Sequence, residues 1–187
     1  MRWKDVAGIK KKLSKDFFKR DTIQVAKELL GKIIEFNGVK GMIVETEAYG
    51  KDEASHASKK TERSKLMYNT FGKIYVYLVY GNYYCLNFTT EENAPGAVLI
   101  RSLEPLNGLD IMKRRRKSDD LTTGPGKLCQ ALNINLLVNG TDINDKLKIY
   151  DNDLKFDIVK TTRVGISKAK DLKLRFYIKG NDYISQL

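Results

Sequence analysis

Lys73-Ile74-Tyr75-Val76-Tyr77-Leu78-Val79-Tyr80-Gly81-Asn82-Tyr83-Tyr84-Cys85-Leu86-Asn87-Phe88-Thr89 is the stretch on which the fold turns. β-Branched and aromatic residues fill both halves, and such side chains favour a pleated, half-buried strand. Gly81-Asn82 interrupts the run, so the pattern predicts two antiparallel strands joined as a hairpin, with Tyr80 beside its tip. Upstream, Lys32 to Phe36, the Asn37-Gly38 turn and Met42 to Tyr49 predict a second hairpin. Downstream, Ala97 to Leu103 reads as a further strand.

Helix signals lie around these strands. Asp21 is placed to cap a helix, with Gln24 in the capping-box position and Gly31 at its end. Ile23, Ala26, Leu29 and Leu30 recur on one helical face. Pro105 is expected to start a second helix that ends in Lys113-Arg114-Arg115-Arg116-Lys117. Thr123-Gly124-Pro125-Gly126-Lys127 precedes a short third one through Leu132, and weaker strands follow around residues 147–150, 156–159 and 175–178. Strands and helices do not alternate regularly, which predicts a mixed α+β domain with antiparallel pairing, not a doubly wound sheet. Residues 1–14 read as a mobile basic arm ahead of one domain spanning 15–187.

The 187 residues suit a single domain, and an apolar content of 42% supports a packed core and excludes general disorder. A formal charge of +11 predicts an anionic partner, with nucleic acid ahead of an acidic membrane surface. Two distant cysteines, Cys85 and Cys129, read as free thiols, and a single histidine leaves no metal-ligand spacing. Apolar runs are short and interrupted by charge, so neither a signal peptide nor a spanning helix is expected, and a cytoplasmic location is.

Val44-Glu45-Thr46-Glu47-Ala48-Tyr49 carries the first chemical signal. On a strand, Glu45, Glu47 and Tyr49 share a face. An edge strand with a wet face explains two such glutamates. Alternatively, with Asp52, Glu53 and His56, they suit a divalent-metal nuclease. The crowded tyrosines fit a core, or stacking surfaces for bases. Arg101 closes an apolar strand, and Gly124 to Lys127 offers backbone N–H groups and a lysine to a phosphate.

In order along the chain stand Leu29-Leu30-Gly31, Val44 to Tyr49, Ala54-Ser55-His56-Ala57, Tyr75-Val76-Tyr77, Tyr80-Gly81 and Cys85-Leu86-Asn87. Val98 to Pro105, Gly124 to Leu128 with Gln130-Ala131-Leu132, and Arg163-Val164-Gly165 complete the set. This ordered set resembles the alkyladenine (3-methyladenine) DNA glycosylase family, the type also found in mammals. The resemblance implies a curved antiparallel sheet with flanking helices and a protruding hairpin that inserts into DNA. It implies excision of 3-methyladenine, and often 7-methylguanine, hypoxanthine or ethenoadenine, to leave an abasic site. The expected partner is duplex DNA holding a damaged purine, bound by a monomer without metal or cofactor.

By position, the resemblance makes Glu47 the general base for the attacking water. Arg101 stands beside that water, and the Val164 carbonyl is its third contact. Tyr49, His56 and Tyr77 match the groups that enclose the flipped base, Asn87 the gatekeeper against ordinary guanine, and Tyr80 the intercalating residue. Asn82, Tyr83, Gly126 and Lys127 match weaker contacts to the DNA backbone. Asn82 stands where the family usually has Met, Ser64 where it has Asn, and the loop from Tyr49 to His56 is shorter than in mammalian relatives. These roles carry a geometric demand. A two-residue turn at Gly81-Asn82 pairs Tyr77 with Leu86 and sends Asn87 to the opposite face. For Tyr77 and Asn87 to share a pocket, the hairpin needs an odd loop or a bulge.

Overall fold

The computed structural model describes residues 11–185. Its strands are β1 (Lys11–Lys12), β2 (Ile33–Phe36), β3 (Val39–Tyr49), β4 (Ile74–Val79), β5 (Tyr83–Thr90), β6 (Gly96–Asn107), β7 (Lys148–Asp151), β8 (Ile158–Thr161) and β9 (Arg175–Ile178). Helices α1 (Thr22–Glu28), α2 (Leu109–Arg116) and α3 (Pro125–Leu132) lie between them. The strands form one antiparallel sheet in the order β1-β7-β2-β3-β6-β5-β4, and β9 joins the far half of β3 and carries β8. The mixed α+β class is as the sequence predicts.

Of the expected basic arm, residues 1–10 lie outside those described. The rest is docked, which corrects the boundary at 14: Lys11 and Lys12 pair with Asp151 and Tyr150, and Leu13 is buried. Asp21 caps α1 by accepting the Gln24 backbone N–H at 2.9 Å. The reciprocal half of the capping box is not formed, because the Gln24 side chain turns to Glu28. Pro105 starts no helix. It lies within β6 opposite Gly41, and the next pair is Lys40 with Asn107, so Leu106 is left over as a bulge. A proline in a strand is tolerated there because the missing N–H has no ladder partner to satisfy. The helix begins instead after Gly108, whose φ of +76° makes the corner.

Period-two alternation sorts the strands into two faces. Val76, Leu86, Phe88, Val98 and Ile100 pack with Val25, Ala26 and Leu29 of the first helical segment and Leu128 and Leu132 of α3 in the main core. On the other face Tyr75 and Ala97 join Ala57 and Met67 in a smaller cluster, bordered by Tyr49 and Tyr77. The segment between β3 and β4 covers this second face with two short 3₁₀ turns, His56–Ser58 and Lys65–Met67.

Gly31 hands α1 over to β2 at a φ of +85°, and a Cβ there would meet the Phe156 ring at 2.4 Å. Gly31→Ala is therefore expected to cost about 2 kcal/mol, summing backbone strain and overpacking. A urea midpoint unchanged from that of the parent would show that the ring yields freely.

Candidate active site

Strand β3 runs through the interior of the sheet, with β6 on one side and β2, then β9, on the other. The wet-edge reading of Glu45 and Glu47 is thereby overturned: both are fully buried. The ladder between β3 and β6 steps from Glu45 opposite Ser102 to Thr46 opposite Ile100, which leaves Arg101 without a counterpart. A bulge of this kind re-aims a side chain. Arg101 Nη1 lies 3.2 Å from Glu47 Oε1, and its Nε donates to Glu45 Oε1 at 3.0 Å.

Two further groups hold Glu47. The Val164 backbone N–H donates to Oε1 at 2.8 Å, and the Tyr49 hydroxyl donates to Oε2 at 2.8 Å. Burial pushes the Glu47 carboxyl above its ordinary value; Arg101, the Val164 N–H and Tyr49 oppose this, and Glu45 adds to it. Burial and then the Glu47 charge push the Tyr49 hydroxyl far up, so it remains a donor.

In front of this carboxylate lies a cavity of about 320 Å³ walled by Tyr49, His56, Tyr77, Asn87, Arg101 and Val164. That volume sits at the small end of the ~300–1,000 Å³ usual for ligand clefts. Glu47 is behind the wall that Tyr49, Arg101 and Val164 make. The hairpin brings Tyr77 and Asn87 to the same cavity through an odd loop: Val79 pairs with Tyr83, so Tyr80, Gly81 and Asn82 form a three-residue turn. Positive φ values at Tyr80 (50°) and Gly81 (72°) close it. Tyr77 then faces Cys85, and Asn87 faces Tyr75.

His56 is fixed by a 2.9 Å contact between Nδ1 and the Tyr75 hydroxyl, and its ring meets Tyr77 edge-on at 4.7 Å. Burial and then Arg63 push its pKa down, which favours the neutral imidazole. Asn87 Nδ2 donates to the carbonyls of Tyr75 and Cys85, so the amide is locked across the two strands. Tyr80 borders the cavity mouth from the hairpin tip with 87% of its surface exposed. Asn82, Tyr83 and Gly126 border a neighbouring groove, and a Cβ on Gly126 would come within 2.9 Å of the Tyr83 ring. Lys127 is turned aside to Asp120.

Three supporting residues received no role from the sequence. Arg163 forks onto Asp52, donates to the Ala48 carbonyl and lies 4.6 Å from the Tyr49 ring centre. It ties the Val164 loop to β3. Tyr75 anchors His56, and Arg63 sits 4.8 Å from the Tyr77 ring centre. Asp52 and Arg163 stand 111 positions apart, so no local pattern announces the pair. Among the described residues no three His, Cys, Asp or Glu side chains come together as a metal site. Asp52 and the two glutamates are committed to arginines, which removes the ligand set of the nuclease reading. No helix among the described residues is long and apolar enough to cross a membrane.

Comparison with known proteins gives the family. The model of the methylpurine-DNA glycosylase family matches residues 16–182. A protein of Clostridium novyi is 44% identical over 94% of this chain and 99% of its own length. One of Methanoculleus marisnigri is 46% identical over 91% of this chain and 96% of its own, and one of Francisella tularensis 48% identical over 88% and 94%. All three carry the provisional name 3-methyladenine DNA glycosylase. With a buried carboxylate, an arginine and a tyrosine-walled cavity in one place, and a match over nearly the whole length, the chain belongs to the methylpurine-DNA glycosylase family.

Proposed function

We propose that this enzyme flips alkylated or deaminated purines out of duplex DNA and hydrolyses their N-glycosidic bond with water activated by Glu47. The observation that carries the reading is the carboxylate held at three points behind a cavity lined by aromatic side chains. Glycosidic cleavage passes through a cationic sugar, and a carboxylate in a dry site stabilises that charge and accepts the proton of the attacking water. Glu47 Oε2 accepts from Tyr49, which leaves it a lone pair for such a water once the side chains that cover the carboxylate part to admit one. On this reading Arg101 and the Val164 carbonyl orient it; in support, Arg101 Nη1 and the Val164 N–H both approach Glu47 Oε1.

Tyr49, His56 and Tyr77 enclose the everted base. N-alkylated purines carry positive charge, so electron-rich rings attract them and they leave readily. Asn87 reads the purine edge and disfavours ordinary guanine. Tyr80 fills the gap in the stack, which offsets an unstacking cost of a few kcal/mol. Asn82, Tyr83, Gly126 and, on leaving Asp120, Lys127 contact the backbone, and the charge of +11 draws a monomer to DNA. Substrates are 3-methyladenine, 7-methylguanine, hypoxanthine and ethenoadenine.

Duplexes bearing one defined lesion each, incubated with enzyme and EDTA, are expected to yield free base and an abasic site without strand cleavage. Salt-sensitive binding with no base released from any of the four would show a nucleic-acid-binding protein instead.

A further inference from the structure

Glu45 does not itself line the cavity, yet it is fully buried beside two arginines. Its Oε1 accepts from Arg101 Nε, from Arg175 Nη1 on β9 and from the Ser185 hydroxyl, each at 3.0 Å. Its Oε2 accepts the Ser185 backbone N–H at 2.6 Å. The Ser185 hydroxyl in turn accepts from Arg101 Nη2 at 3.1 Å. Arg101 is therefore gripped at all three nitrogens, by Glu45, Ser185 and Glu47. Removing one partner frees the guanidinium to rotate.

We propose that Glu45 is a positioning residue that, with Ser185 near the C-terminus, holds the Arg101 guanidinium in place on Glu47. The proposal rests on Glu47 being the general base. A well-placed Arg101 favours the ionised carboxylate, whereas Glu45 as a like charge opposes it, and the first influence is the larger. Among the described residues, the titratable and charged groups around Glu47 include Glu45 and Tyr49 on its own strand, Arg101 on β6, Tyr77 on β4, Cys85 on β5 and Arg175, which stands opposite it on β9. Two opposite signs follow for Glu45→Gln. If Glu45 only repels, its loss lets Glu47 ionise at lower pH. If it positions Arg101, its loss weakens the guanidinium contact and Glu47 ionises at higher pH.

The test is the pH profile of single-turnover base release from a 7-methylguanine duplex, with duplex affinity and urea unfolding measured in parallel. Glu45→Gln is expected to slow release about 10-fold, as misplacement of a reacting group does, with its acid limb moved to higher pH. Ser185→Ala changes no charge and is expected to slow release about threefold, with the limb moved the same way. A folded Glu45→Gln whose limb moves down, or stays in place at the parental rate, overturns the proposal. Should Glu45→Gln fail to fold, Ser185→Ala decides alone, and a parental profile there overturns it. Glu47→Gln run beside them separates the two readings. Turnover surviving in that variant defeats the assignment of the base, whereas its loss with parental Glu45→Gln and Ser185→Ala profiles defeats only the positioning role.

Discussion

Glu47→Gln is expected to slow release of 7-methylguanine from duplex DNA by about 10³-fold or more, as loss of a general base and its charge does, while lesion binding stays within about threefold. Glutamine has the same shape, so its amide oxygen can still accept from Val164 or Tyr49. What the proposed mechanism loses is its proton acceptor and the negative charge that would face the cationic sugar. The parent enzyme supplies a second readout. In the proposed mechanism Glu47 acts only when ionised, and burial pushes its pKa above the ordinary carboxylate value. The rate should therefore fall as pH drops through that raised value, at the acidic end of the working range. This limb should be missing from whatever residual activity the glutamine variant keeps. A variant that turns over at a tenth of the parental rate would place the base elsewhere.

Tyr80→Ala should cost about 10²-fold in release from duplex DNA, the upper end of a base-on-aromatic stack worth roughly 1–3 kcal/mol. The ring is almost wholly exposed at the tip of a three-residue turn, so removing it leaves the core intact and urea unfolding should not change. The loss should concentrate where flipping is hardest. A lesion opposite its normal partner should suffer most, and one in a mismatch or single strand least, because less stacking has to be broken. An equal loss on duplex and single-stranded substrates would point to damage inside the cavity instead of at the duplex.

Much of this arrangement is legible in the sequence, though unevenly. Local signals survive best: Asp21 capping α1, Gly31 ending that helical segment, and the tyrosine-rich hairpin all depend on neighbours a few positions apart. The demand that Tyr77 and Asn87 share a face was enough to require an odd loop, and the structure has one. Pro105 misleads because a proline suits the first turn of a helix and also a bulge, and only the pairing with β3 decides between them. The edge reading of Glu45 and Glu47 fails for a related reason. Buried carboxylates are costly unless paired, and their partners Arg101 and Arg175 lie 56 and 130 positions from Glu45. The ordered motifs brought Glu47, Tyr49, His56, Tyr77, Asn87 and Arg101 to notice. Arg163, Tyr75 and Ser185, which support them, act only through folded geometry.

The two-sided strands have a practical consequence. Along β5, Leu86 and Phe88 serve the helices while Cys85 and Asn87 serve the cavity, and a single residue step separates the two duties. Libraries that vary only Cys85 and Asn87 should reshape lesion choice first, at the expense of the hydrogen bonds Asn87 makes to the carbonyls of Tyr75 and Cys85. Varying Leu86 and Phe88 should erode folding first. Selection has here a ready-made partition, in which recognition can drift while the scaffold beneath it stays put.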